Sequence, residues 1–167
     1  NKVVMSYQSY KSKIIKSKSK TQVLLGSKKN GSWTAPKNNS YLGILIQDAG
    51  GENVISSNNK NFKYEQILKM KNKIDVWLPH TVWQNKKDIF NQDKKYKLLI
   101  KNAKFTIYNA SKKSSTSAGY DFWETGLSRP DLILKDLDIK ITLSVMIRVQ
   151  EGPDHVPKIE RQTLPFS

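Results

Sequence analysis

From Leu137 to Gln150 the sequence alternates with a period of two. The odd positions read Leu137, Ile139, Ile141, Leu143, Val145, Ile147 and Val149, against Asp138, Lys140, Thr142, Ser144, Met146, Arg148 and Gln150. Only Met146 breaks the pattern. Successive side chains of a strand point to opposite faces, so this spacing predicts a long antiparallel strand with one face on a core and one in water. Glu151-Gly152-Pro153-Asp154 supplies the turn that ends it.

The rest of the chain reads in the same terms. Tyr96–Ile100 and Ala103–Tyr108 alternate as a strand pair, with Asn102 as a bulge or tight bend. Val3–Gln8, Lys13–Lys16, Thr21–Leu25, Tyr41–Gln47 and Lys73–Leu78 are further strand candidates. Gly26–Gly31 reads as a hairpin-type loop, Asp48–Gly51 as a sharp turn and Ser56–Asn61 as a polar loop. One helix is expected over Phe62–Lys71, capped by Asn59 or Asn61, and a shorter helical turn around Trp83–Phe90. No βαβ rhythm is visible, which argues against a doubly wound fold. The expectation is a mostly β chain, an antiparallel β-sandwich of jelly-roll or immunoglobulin-like type with at most one or two short helices. It forms a single domain over residues 1–167.

Charge is the second constraint. The formal net charge is +15, carried by lysine far more than by arginine. Nine lysines precede the first carboxylate, Asp48, whereas Gly119–Ser167 holds eight acidic residues against six basic ones. The lysine-rich segment of about residues 1–20 is expected to be an edge strand or an arm. Its row Lys11, Lys13, Lys16, Lys18 and Lys20 either guards a sheet edge or meets an anionic surface. All three arginines lie after residue 128, which argues against readout of base edges.

Cysteine is absent, excluding disulfides, zinc–thiolate sites and cysteine nucleophiles. No apolar run approaches the length of a membrane span. His80 and His155 stand far apart and read as exposed loop residues. No nucleophile elbow, zinc-protease motif or phosphate loop is present, so no catalytic residue and no cofactor is assigned, and the chain is read as non-enzymatic. Trp33 and Trp83, close to loop residues, are candidates for a contact surface.

The most unusual stretch is Gly119–Leu134, which brings Asp121, Trp123, Glu124 and Asp131 into one loop. Several carboxylates on one loop suit a hard cation, with Asp121, Asp131 and Asp136 as weak calcium candidates. A carbohydrate groove and a purely structural plug are the other readings. The run Gly119…Asp121-x-Trp123…Gly126…Pro130-Asp131-Leu-Ile-Leu134 resembles a loop of C2-like β-sandwich domains in bacterial envelope proteins. There a Trp-Asp-type loop passes through Pro-Asp into an apolar strand. The resemblance covers about 35 residues and implies a C2-like sandwich with loop carboxylates at Asp121, Asp131 and Asp136 or Asp138.

Together these features predict an exported β-sandwich that acts by protein–protein contact, such as a lipoprotein or accessory subunit of a bacterial envelope or secretion assembly. Its partners would be other proteins of that assembly. It would be periplasmic, or held to a membrane through a segment upstream of Asn1. The alternatives are a basic module for anionic lipid, polysaccharide or nucleic acid, including a self-assembling viral structural protein, and a calcium-dependent or carbohydrate-binding module built on residues 119–134.

Overall fold

The computed structural model describes residues 2–14, 20–55, 62–81, 83, 86–109, 128–138 and 159–161. Its centre is a five-stranded sheet in which every pairing is parallel, formed by β1 (Thr21–Leu25), β4 (Gly51–Asn53), β6 (Val76–Leu78), β7 (Thr106–Asn109) and β8 (Ile159–Arg161). The order across the sheet is β4-β1-β6-β7-β8. β2 (Ser27–Lys29), β3 (Ser32–Thr34) and β5 (Phe62–Lys63) make a small antiparallel sheet beside it. The helices are α1 (Lys2–Ile14), α2 (Tyr41–Asp48), α3 (Tyr64–Met70), α4 (Lys86–Gln92), α5 (Tyr96–Ile100) and α6 (residues 130–138).

Parallel strands must be joined by crossovers, and the crossover helices cover both faces of the sheet. The inner strands β1 and β6 therefore bury both of their sides. Val23 and Leu25 of β1, with Val76 and Leu78 of β6, pack against Leu42, Leu45 and Ile46 of α2 and Ile133, Leu134 and Leu137 of α6. Leu24 and Trp77 point the other way, onto Ile67 of α3, Ile89 of α4 and Leu99 of α5. Full burial of such a side chain is worth about 1.5–3 kcal/mol. These two layers are the main apolar stabilisation of the fold.

Local signals place several elements. Asn30 and Gly31, with φ of 50° and 81°, form the turn between β2 and β3, as expected for an Asn-Gly pair. Ser40 caps α2, its Oγ accepting from the Gly43 N–H at 3.2 Å. The Gln66 side chain accepts from the Lys63 N–H at 2.9 Å at the start of α3. Helix α1 contains no buried residue and is held through Tyr7, Tyr10 and Ile14. The Tyr7 hydroxyl donates to Asp48 at 2.6 Å, and Lys11 pairs with the same carboxylate at 2.9 Å.

The antiparallel sandwich is thus corrected to a parallel α/β architecture with helices on both faces, whose chain order matches one of the two common doubly wound arrangements. Thr21–Leu25 is a strand and Phe62–Lys71 contains α3, but Val3–Gln8, Tyr41–Gln47 and Tyr96–Ile100, expected as strands, are helical. Within the lysine-rich segment Lys2–Ile14 is helix α1 and not a strand, while residues 15–19 lie outside the described residues. In the alternating run, Leu137 and Asp138 are helical, within α6, while residues 139–150 lie outside the described residues. Among the described residues no helix is long and apolar enough to cross a membrane.

Candidate functional site

The chain reverses its direction of travel across the sheet at β1 and β6. From β1 it moves outward to β4 and then returns past β1 to β6. In open α/β sheets the crevice for a ligand lies beyond the carboxyl ends of the strands at this switch point. Here those ends carry Gly26-Ser27 and Pro79-His80.

Gly26 makes this junction possible. Its φ is +92°, and a Cβ there would lie 2.0 Å from the Thr34 carbonyl oxygen. Only glycine lets the β2–β3 hairpin fold back this tightly. The Gly26 N–H donates to the Leu78 carbonyl at 3.0 Å, tying the ends of β1 and β6 together. The Trp77 indole donates to the Gly26 carbonyl at 2.9 Å, and the Trp33 indole to the Leu25 carbonyl at 2.8 Å. The next residue, Ser27, is buried and accepts at Oγ from the His80 N–H at 3.0 Å. His80 itself is exposed.

Beneath this edge lies a cluster of rings, with Trp33, Trp77, Trp83, Tyr64, Tyr96 and Phe105 in mutual contact at centroid separations of 5.3–6.3 Å. Edge-on and tilted pairs of this kind are favoured by the ring quadrupoles. Their polar atoms are paired as well. Tyr96 Oη accepts from the Lys28 N–H at 2.7 Å, and Tyr64 donates to the Lys95 carbonyl at 2.8 Å. The Trp83 indole donates to Gln92 Oε1 at 2.5 Å, and Gln92 Nε2 reaches Thr81 Oγ1 at 3.4 Å. The segment carrying His80 is therefore fixed on both sides.

Charge at the site is sparse and mostly committed. The Lys28 ammonium pairs with Asp93 and lies 5.5 Å over the Tyr64 ring. Partial burial would raise the Asp93 carboxyl, but hydrogen bonds from Lys28 and the Lys95 amide outweigh it and hold the group below its ordinary range. Burial pushes the Tyr96 phenol up to about 12. Desolvation lowers the His80 imidazole below its ordinary value of 6.5, so the ring is neutral at neutral pH. A neutral imidazole has a nitrogen lone pair to offer to a metal ion.

The residues singled out from sequence fall elsewhere. Lys11 is paired with Asp48, Lys13 lies 5.9 Å over the Tyr10 ring, and Lys20 is exposed ahead of β1. Lys16 and Lys18 lie outside the described residues, as do Asp121, Trp123 and Glu124. Trp33 and Trp83 are buried in the aromatic cluster and present no outer contact surface. Asp131 is buried and held by Arg129 through two bonds of 3.0 Å, which keep its carboxyl below the ordinary range. Asp136 is buried in α6. Among the described residues no three His, Asp or Glu side chains are grouped as a metal site would need. His80, read from sequence as an ordinary loop residue, is the group the fold brings to the switch point. Its signal was the run Val76-Trp-Leu-Pro-His80, a short buried strand ending in a histidine.

No protein-family model matches the chain. The high-affinity heme uptake system protein IsdE of Staphylococcus aureus is 30% identical over 100 residues, covering 58% of this chain and 34% of that protein. An ABC transporter substrate-binding protein from Listeria monocytogenes aligns in structure with a TM-score of 0.50 at 18% identity, over 82% of this chain and 53% of that one. These relationships, with the parallel sheet, overturn the reading as a protein-contact β-sandwich of an envelope or secretion assembly. Residues 119–127, on which the calcium- or carbohydrate-binding alternative rests, lie outside the described residues. The chain spans about a third of the one protein and half of the other, and it shares the fold of an ABC transporter substrate-binding protein.

Proposed function

We propose that this chain forms a ligand-binding lobe of an exported, non-enzymatic substrate-binding protein that delivers cargo to an ABC-type membrane transporter. The cargo is heme or a closely related iron porphyrin. The observation that carries the reading is the position of His80, a neutral and exposed imidazole at the switch point of a doubly wound sheet. Histidine is a common protein ligand to heme iron. The similarity to IsdE, a heme uptake protein, supports the choice of cargo. The residues at hand fit that choice, because His80 offers a nitrogen donor with its backbone already anchored and the ring cluster behind it gives the edge a rigid base. The membrane-facing partner is then a permease, and the location outside the cytoplasm follows from the same role.

Hemin titration of the chain, followed through the Soret band, tests the cargo. The expected outcome is saturable binding with a shifted band, weakened at least about tenfold in His80→Ala. Absence of any band shift, or equal affinity in His80→Ala, would overturn the assignment. Fractionation of the native host with an antibody to this chain tests the location, and recovery in the cytoplasm alone would contradict it.

A further inference from the structure

The backbone at His80 is tied to a residue 53 positions away, although the His80 side chain is exposed and adds nothing to the core. Ser27 Oγ accepts the His80 N–H at 3.0 Å, and the Ser27 side chain is also in hydrogen-bonding contact with the Tyr96 hydroxyl. Tyr96 also receives the Lys28 N–H at 2.7 Å, so its oxygen meets two neighbouring residues of one strand. A hydroxyl has one proton and two lone pairs. The His80 amide can only donate, so the Ser27 oxygen meets it with a lone pair whichever way its own proton points. The buried serine thus stands between the Tyr96 hydroxyl and the His80 amide, and it holds the amide.

We propose that Ser27 is a positioning residue for the cargo site. Its hydroxyl, in contact with Tyr96, fixes the backbone at His80 and thereby aims the imidazole out of the sheet edge. This rests on the reading above that His80 meets the cargo. Groups that orient a metal-binding side chain without touching the metal typically change affinity by about 10–100-fold when removed. Alanine at Ser27 leaves the His80 amide without its acceptor, whereas threonine keeps a hydroxyl at the same place.

Two measurements on Ser27→Ala and Ser27→Thr test this. The first is amide hydrogen exchange at His80 in the cargo-free protein, and the second is hemin affinity, with His80→Ala as reference. The expected result is exchange at His80 about tenfold faster or more in Ser27→Ala, hemin binding weakened by about tenfold, and recovery of both in Ser27→Thr. Unchanged exchange in Ser27→Ala overturns the proposal, as does a threonine variant no better than alanine. Faster exchange with unaltered hemin affinity, while His80→Ala loses binding, also overturns it. If His80→Ala binds hemin as the parent does, the cargo reading fails, and the exchange data still decide whether Ser27 holds the His80 backbone. Should Ser27→Ala fail to fold, the unaltered protein suffices, because a His80 amide exchanging at open-chain rate would refute the bond.

Discussion

Replacing Gly26 by alanine tests the junction on which the site depends. The residue sits at φ +92°, and the added Cβ would lie 2.0 Å from the Thr34 carbonyl oxygen and 2.9 Å from the Ala35 Cα. Neither neighbour is the end of a flexible side chain, so the hairpin must move away from β1. The left-handed conformation alone costs an alanine about 1–2 kcal/mol. Movement of the hairpin also strains two hydrogen bonds, from Gly26 N–H to Leu78 and from the Trp77 indole to the Gly26 carbonyl. Each contributes about 1 kcal/mol net, and the buried indole costs more if left unpaired. The sum is about 3–5 kcal/mol, which for a domain of this size lowers the melting temperature by about 6–20 °C. Gly31 is the internal control. It has a similar φ of +81° but nothing within 4 Å of its Cβ position, so Gly31→Ala pays the conformational cost alone, about 1–2 kcal/mol. Calorimetry of both variants separates backbone strain from collision. If Gly26→Ala melts within a couple of degrees of Gly31→Ala, the close approach of hairpin and β1 described here is wrong.

Tyr7→Phe removes the 2.6 Å bond to Asp48 while leaving the ring and the Lys11 pair in place, and should cost about 1 kcal/mol at this half-buried position. Limited proteolysis within residues 2–14 should accelerate accordingly, and an unchanged cleavage rate would show that α1 docks by other means. Acid should weaken the fold in two stages. His80 has a folded pKa below 6.5, so the unfolded chain takes up the proton first and stability is lost as pH falls below 6.5. Asp93 and Asp131 are held below 3.8, so their contribution is present above that value and disappears as pH falls through their lower folded values. Urea unfolding across this range should show the first stage vanish in His80→Gln, and a first stage that persists in that variant would refute its assignment.

The parts of the fold legible in the sequence are those governed by neighbours in the chain. Asn30-Gly31 specified its turn, the helical spacing within Phe62–Lys71 located α3, and Thr21–Leu25 was dense enough in strand formers to be recognised. The sandwich expectation failed where period two and period 3.6 coincide over five or six residues. Tyr96, Leu98 and Ile100 alternate, yet the helix buries Tyr96 and Leu99 and leaves Leu98 55% exposed, a spacing of three. Tyr41–Gln47 is an apolar run in which α2 buries Leu42, Leu45 and Ile46 and exposes Ile44. Its helical nature was signalled at its ends, by the Ser40 cap and by Gly50 at the exit, more than by its interior.

The parallel sheet escaped notice for a related reason. Val76–Leu78 and Gly51–Asn53 are three residues long, and Val76, Trp77 and Leu78 are all buried. A strand covered on both faces has no polar side, so it carries no alternation to read. What marks such a sheet is the order in which strands and helices follow one another, and misreading three helices as strands erased that order. The candidate site was lost with it, because its parts are separated by long stretches of chain. Gly26 and Ser27 lie at one strand end, His80 at another, and Tyr96 on a helix below both. None of these residues forms a motif alone. A lone histidine after a proline has no special meaning until the sheet order places it beside β1. Its backbone bond to Ser27 is then what distinguishes it from an ordinary loop residue.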